Sequence, residues 1–285
     1  MTARAQHGPS AGTYSAGLSL ALAAPLIVLL LGVFAYPVGR LLLTSVFAPD
    51  ATAAHYLRIV GEPLYLRIFW RTFQIALIVT ALTFALGYPV AWAMARVSGG
   101  AAFLITACVL IPLWTSVLIR SYAWIVLLQR TGIVNTALRE SGVITEPLRL
   151  IYTEGAVIMA MTHVLLPYMI LPVYAALRAI PPELGRAARN LGAGPWRAFA
   201  TVTLPLSLPG VYAGCLIVFI LALGIYVTPA LVVGPRTLMI ATLIGQQVGE
   251  LLDWPFASAL SAVLLAFTIG LVVAFRRFLA VSKGL

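Results

Sequence analysis

The sequence predicts an all-α, polytopic membrane protein with six transmembrane helices. Three observations lead to that class. Of 285 residues, 62% are hydrophobic and only 9% charged, against roughly 25% charged in ordinary soluble domains. Mean hydropathy is +1.03, so most of the chain needs a bilayer as its solvent. The uncharged runs repeatedly reach about 20 residues, the length that crosses a hydrocarbon core roughly 30 Å thick. Within that core every backbone N–H and C=O must be paired without water, which makes these runs helices.

The elements follow in chain order. Residues 1–15, rich in Gly, Ser, Thr and Ala, read as a disordered tail; residues 16–285 form the membrane domain. Gly17–Tyr36 is the first span. Its apolar run is too long for a signal-peptide core, and Pro37 and Arg40 follow it instead of a small-residue cleavage site. Thr72–Ala95, Val97–Ile119 and Gly155–Leu177 are the second, third and fourth spans. Ala198–Pro235 contains the fifth, expected to begin near Pro209. Thr237–Gly249 is uncharged but too short to cross, which suggests an interfacial or re-entrant helix. Trp254–Phe275 is the sixth span.

One internal segment stands apart. ELGRAARNLGAGPWRAFATVTLPLSLPG, Glu183 to Gly210, concentrates three arginines, a glutamate and several turn formers in an otherwise apolar chain. Pro181 and Pro182 end the fourth span and open a new helix, with Glu183 near its N-terminus where negative charge is favoured. Leu184, Ala187, Ala188 and Leu191 recur at i, i+3, i+4, i+7, one helical face, while Arg186, Arg189 and Asn190 lie off it. Gly192 is placed to end that helix in the left-handed conformation. Gly194-Pro195 starts a second short helix carrying Trp196, Phe199 and Val202, and Pro205 and Pro209 are expected to break it before the fifth span. Two short helices joined by a glycine bend, apolar on one face and cationic on the other, suit either a headgroup-level surface loop or a protein-docking element. Spacing alone leaves both open.

Six spans put both termini on one side. With the termini in the cytoplasm, the 18 Lys and Arg residues divide equally between the two sides, so the positive-inside rule does not decide. Acidic residues are lopsided: Glu183 alone shares the side of the termini. Cytoplasmic termini are the reading preferred here, because they put 180–208 inside the cell.

Several chemistries are excluded or unsupported. The only lysine is Lys283, so a P-loop, which needs a lysine after its glycines, is impossible; any ATP hydrolysis belongs to another chain. The net charge of +10 comes from arginines dispersed among loops, with no basic stripe for nucleic acid. His7, His55 and His163 are scattered and no Cys/His spacing recurs, so neither metal nor cofactor is expected. Cys108 and Cys215 lie within spans as packing residues. His163 lies mid-span; a neutral imidazole bonded to a neighbouring helix is the plain reading, an intramembrane functional group the other. Gly210 and Gly214 form a GxxxG that suits close helix packing. No Gly-x-Ser-x-Gly elbow is present. Arg120, Tyr122, Trp124, Tyr226, Gln246 and Asp253 cluster on the outer side. An aromatic belt explains part of that set. A solute pathway is the alternative, with aromatic faces holding a cation and Asp253 as its counter-charge, or with Arg120 receiving a carboxylate or phosphonate.

The Glu183–Gly210 segment also resembles the "EAA" loop of ABC-importer permeases. That pattern is Glu-Ala-Ala, three residues, Gly, nine residues, then Ile-x-Leu-Pro. Here Arg186-Ala187-Ala188, Gly192 and Val202-Thr203-Leu204-Pro205 stand at the matching offsets. Arg186 departs from the usual Glu, and Glu183 offers an acid one turn earlier. From about residue 70 to 275 the chain is similar to the spermidine/putrescine-type branch, in LGYPVAWAMAR (Leu86–Arg96), IPLWTSVLIRSYAWIVLL (Ile111–Leu128), LPYMILPVYAALRAIPPEL (Leu166–Leu184), TPALVVGPRTLMIATLIGQQ (Thr228–Gln247) and DWPFASAL (Asp253–Leu260). Ile225-Tyr226 departs from it, since many polyamine members carry an acidic residue beside that aromatic.

The resemblance implies a type I ABC importer permease (MetI-like) fold in a bacterial inner membrane. It implies a coupling loop over 180–208 that seats on a cytoplasmic ATPase dimer, and as further partners a second permease subunit and a periplasmic solute-binding protein. The subunit would itself be non-catalytic. A polyamine is the implied solute; an amino-acid-like, phosphonate or carboxylate solute is the alternative, and a self-sufficient channel or secondary transporter a weaker one.

Overall fold

A computed structural model describes residues 16–47, 50–234 and 237–282; the expected tail at 1–15 lies outside them. Among the described residues the regular structure is helical, apart from a single bridge between Phe47 and Ala51. In order the helices are α1 (Ala16–Leu29), α2 (Tyr36–Thr44), α3 (Ala54–Gly61), α4 (Pro63–Arg96), α5 (Gly99–Trp114), α6 (Val117–Leu128), α7 (Ile133–Glu140) and α8 (Glu154–Arg178). There follow α9 (Pro182–Asn190), α10 (Pro195–Ala198), α11 (Leu204–Gly224), α12 (Val227–Val232), α13 (Ile240–Gly249) and α14 (Trp254–Ser282). Two π-helical stretches, Leu30–Ala35 and Phe199–Thr203, join α1 to α2 and α10 to α11 without a break.

Six stretches are long and apolar enough to cross a membrane: Gly17–Thr44, Pro63–Arg96, Val117–Glu140, Glu154–Arg178, Pro195–Gly224 and Trp254–Arg277. The number matches expectation; several boundaries do not. The first stretch runs on to Thr44, past the expected end at Tyr36. The second helix starts at Pro63, nine residues before Thr72, and its 34 residues reach about 51 Å at 1.5 Å per residue. Its early turns carry Arg67 and Arg71. The expected third span, Val97–Ile119, is broken at Thr115–Ser116. Pro112 removes a backbone donor near the end of α5, and the Thr115 hydroxyl donates back to the Pro112 carbonyl at 2.8 Å. Gly99–Trp114 is left as a shorter apolar helix, and the stretch of spanning length begins at Val117. The fifth span does not wait for Pro209. Pro205 follows the π-helical turn inside one continuous helix, Pro195–Gly224, and Pro209 lies further along it.

The core is a three-helix unit of α4, α8 and α11, the pairs in most extensive contact. Ile75, Ala76, Val79, Ala160, Met161, Met169, Val173, Val218 and Ala222 are fully or almost fully buried there. The Gly210/Gly214 pair lets α11 approach α8 closely. A Cβ on Gly210 would lie 2.5 Å from the Ala176 Cβ and 2.6 Å from the Pro172 carbonyl oxygen; one on Gly214 would lie 2.8 Å from the Met169 sulfur. Small residues at helix interfaces are how membrane helices gain packing when lipid offers no hydrophobic contrast. Hydroxyls add cross-links. Tyr88 on α4 bonds Ser207 on α11 at 2.9 Å, and Ser121 on α6 donates to Thr228 on α12 at 3.0 Å. A second apolar cluster, of Ile59, Tyr65, Ile68, Ile240, Phe256 and Leu260, packs α3, the start of α4, α13 and α14 together. Here α13 is short and inserted, as expected for Thr237–Gly249. Its first backbone N–H, on Ile240, donates to Thr72 on α4 at 2.9 Å.

Candidate functional site

The polar segment after the fourth span folds as two short helices with a glycine bend. Pro181 and Pro182 stop α8 and start α9, with Glu183 in the first turn and Arg189 in the last. At the far end Gly192 has φ +85°. The Gly192 N–H donates to the Arg189 carbonyl at 2.9 Å and the Ala193 N–H to the Ala188 carbonyl at 3.0 Å, the paired pattern of a Schellman cap. Then α10 begins at Pro195 and runs through the π-helical turn into α11, so loop and span share one continuous backbone.

The two faces of this element differ in environment. Leu191 is 88% exposed and Trp196 84%; Leu184 and Ala187 are exposed as well. Gly185 and Ala188 turn partly inward. Phe199 is half-buried; its ring meets Tyr88, Trp92 and Trp196 edge-on at 6.1, 6.3 and 6.4 Å. Leu204 and Pro205 begin α11. An apolar strip with no cover in this chain therefore stands on a base packed into the bundle. Arg186 does not join that strip: with Arg189, Arg96 and Arg178 it lines a cavity behind α9.

The outer-side set is only partly brought together. Arg120 and Trp124, four residues apart on α6, share a face. Arg120 is 8% exposed, and its Nε and Nη1 have no hydrogen-bond partner. The Trp124 indole N–H donates to His163 Nδ1 at 3.3 Å, with the rings edge-on at 5.9 Å, so the imidazole is tied to a neighbouring helix. Tyr122 is 63% exposed on another face of α6 and does not join them. Tyr226 lies against α13, its ring 2.4 Å from where a Gly245 Cβ would be; Gln246 follows and is half-buried.

Asp253 has structural partners. Its carboxylate accepts the Phe256 N–H at 3.2 Å, starting α14, and pairs with Arg58 at 3.4 Å. Arg58 also pairs with Glu62 at 3.5 Å and lies over the Phe256 ring at 4.2 Å. Sequence reasoning missed Arg58, which sits in an unremarkable run 195 residues away. It also missed Asn135, buried on α7. Its side chain donates to the Gln129 and Leu148 carbonyls and accepts the Leu148 N–H at 2.8 Å, clamping the loop before α8. No local pattern marks either residue.

Comparison with known proteins agrees with this geometry. The family described as "Binding-protein-dependent transport system inner membrane component" matches residues 87–280. The spermidine/putrescine transport system permease protein PotB of Escherichia coli (strain K12) is 35% identical over 222 residues, covering 78% of this chain and 80% of that protein. The inner membrane ABC transporter permease protein YdcU of the same organism is 36% identical over 235 residues, covering 77% and 74%. Among solved structures, a bacterial alginate ABC transporter in complex with an alginate pentasaccharide-bound periplasmic protein superposes with TM-score 0.80 at 18% identity, over 91% of this chain and 92% of that one. The MetNI methionine ABC transporter, in an inward-facing conformation, gives 0.60 at 20%, over 76% and 95%. The structural likenesses establish a MetI-like fold; the sequence matches go further. On the family match and the sequence identities this multi-pass chain belongs to the binding-protein-dependent transport system inner membrane components, the permeases of ABC importers.

Proposed function

We propose that this chain is the non-catalytic permease subunit that couples ATP hydrolysis in separate ATPase subunits to inward passage of a polyamine such as spermidine or putrescine. A second permease subunit would complete the pathway, and a periplasmic binding protein would deliver the solute. Both termini and the 180–208 loop face the cytoplasm, and alternating access moves the solute. The observation that carries the reading is the uncovered apolar strip Leu184, Leu191, Trp196 on a capped helix pair. Single exposed apolar residues are ordinary; a contiguous strip on a rigid element continuous with a core span is a docking surface. Glu183, Arg186, Ala187, Ala188, Gly192, Leu204 and Pro205 make up that coupling element. The polyamine assignment rests on the identity to the PotB proteins.

The test is co-purification. Leu191→Asp together with Trp196→Asp is expected to release the ATPase subunits while the permease still assembles in the membrane. Retention of the ATPase at wild-type stoichiometry would exclude this docking surface.

A second solute reading has one observation in its favour. Among the described residues Arg120 is a buried cation without an ion pair, and Asp253, the acid of the candidate pathway set, is already paired with Arg58. A carboxylate- or phosphonate-bearing solute would satisfy Arg120; a polycation would be repelled by it. Thermal-shift titration of the partner binding protein separates the readings. Stabilisation by spermidine or putrescine supports the first, and stabilisation only by amino acids or phosphonates supports the second.

A further inference from the structure

Four arginines line one cavity at the end of the bundle that carries the 180–208 loop. The space is about 560 Å3. Arg96 comes from the last turn of α4, Arg178 from the last turn of α8, and Arg186 and Arg189 from α9. Trp92 and Phe199 supply an aromatic wall, and no Asp or Glu lines the space. Two of the guanidinium groups are oriented by the protein. Arg96 lies over the Trp92 ring at 5.1 Å, and Arg189 Nε donates to the Gly185 carbonyl at 3.3 Å. Among the described residues the salt bridges are those of Arg58, in α3, so none of these four arginines has a carboxylate within the chain.

All four side chains are exposed, so solvent screens part of their mutual repulsion, but four like charges around one space still leave a net positive site. A compensating anion is therefore favoured. Arginine forks match the oxygens of phosphate groups, which they hold through paired charge-assisted bonds. Arg96 and Arg178 are the last residues of the apolar stretches Pro63–Arg96 and Glu154–Arg178, and Arg at the end of a membrane-spanning helix reaches the headgroup region. We propose that this cavity binds a phosphate-bearing anion that bridges α9 to the ends of α4 and α8. Because two of its four cations belong to α9, occupancy holds that helix against the bundle. The binding claim is independent of the solute, and only its consequence for transport rests on the coupling reading above.

The phosphate can come from an anionic phospholipid or from solution, and the experiment separates the two. The intact transporter complex is placed in nanodiscs of phosphatidylcholine with and without phosphatidylglycerol, and retained lipid is read by native mass spectrometry. In parallel, the delipidated complex in detergent is titrated with inorganic pyrophosphate and its melting temperature followed. Retained phosphatidylglycerol assigns the lipid source, and stabilisation by pyrophosphate assigns the soluble one. Either is expected to be lost in Arg96→Gln/Arg178→Gln. If that pair does not assemble, Arg96→Lys/Arg178→Lys keeps the charge but not the fork, and is expected to bind about tenfold more weakly. The proposal is overturned if wild type holds neither ligand better than the variants, or if cross-linking finds an acidic segment of an ATPase subunit filling the cavity with no phosphate bound. Such a result leaves the coupling reading intact, because co-purification tests that separately.

Discussion

Gly210 shows how much a single missing atom can matter. It faces the Pro172 carbonyl and the Ala176 methyl at distances no real Cβ tolerates, and the carbonyl is backbone that cannot step aside. Gly210→Ala is expected to force α11 from α8 and to cost about 1–3 kcal/mol. Gly270→Ala is the control: nothing lies within 4 Å of its Cβ position, and an exposed helical Gly gains roughly 0.5–1 kcal/mol on becoming Ala. Melting temperatures of the two purified variants should move in opposite directions. Asp253 gives a graded case. Asp253→Asn keeps an oxygen for the Phe256 N–H but loses the half-exposed Arg58 pair, for a cost below about 1 kcal/mol; Asp253→Ala also loses the cap, about 1 kcal/mol more. A thermal melt in which both variants match wild type would exclude this role. The GxxxG spacing was legible in the sequence because it is a local pattern, whereas Trp124 as the partner of His163 was not, since it lies 39 residues away. The engagement of Asp253 was not, because its partner is distant in the chain.

At the scale of elements, the α9–α10 pair is where reading and structure agree best. Its start, its glycine end and the small residues of α9 follow from Pro, Gly and a 3.6-residue period, which act locally. The left-handed φ of Gly192 leads to a prediction. Gly192→Val is expected to strain the bend by about 1–2 kcal/mol and to lower ATPase co-purification more than Arg186→Glu does, since Arg186 lies off the exposed strip. Equal losses, measured by pull-down, would reverse that ranking. Span boundaries fared worse, for a physical reason. Charge was taken to mark where α4 begins, but a helix continues past the hydrocarbon wherever tertiary contacts, here Tyr65 and Ile68 on Phe256 and α13, stabilise its outer turns. Conversely, the uncharged run through Pro112 looked continuous although the backbone turns there. Hydropathy senses the solvent around a segment and is blind to such turns.

The whole molecule is incomplete in one direction. The stretch Gly17–Thr44 contributes no buried residue across its most apolar window, and its C-terminal part, α2, packs on α14. Lipid can cover such a helix, but the proposed second permease offers a protein face. A cysteine at Val33, which is 71% exposed, is expected to react with a membrane-permeant maleimide when this subunit is made alone and to be protected when its partner is co-expressed. Equal labelling in both cases would assign this helix to lipid. The substrate, by contrast, is not legible at this scale. Fold class follows from the distribution of apolar length; under the proposed function, solute choice turns on a few polar groups such as Arg120, to which the proposed second permease would add its own.

The π-helical turn Phe199–Thr203 carries one last consequence. Through it α10 passes into α11 with no loop, and the capped bend at Gly192 joins α9 to α10. Under the coupling reading proposed above, a displacement of α10 would reach the fifth span without crossing a loop.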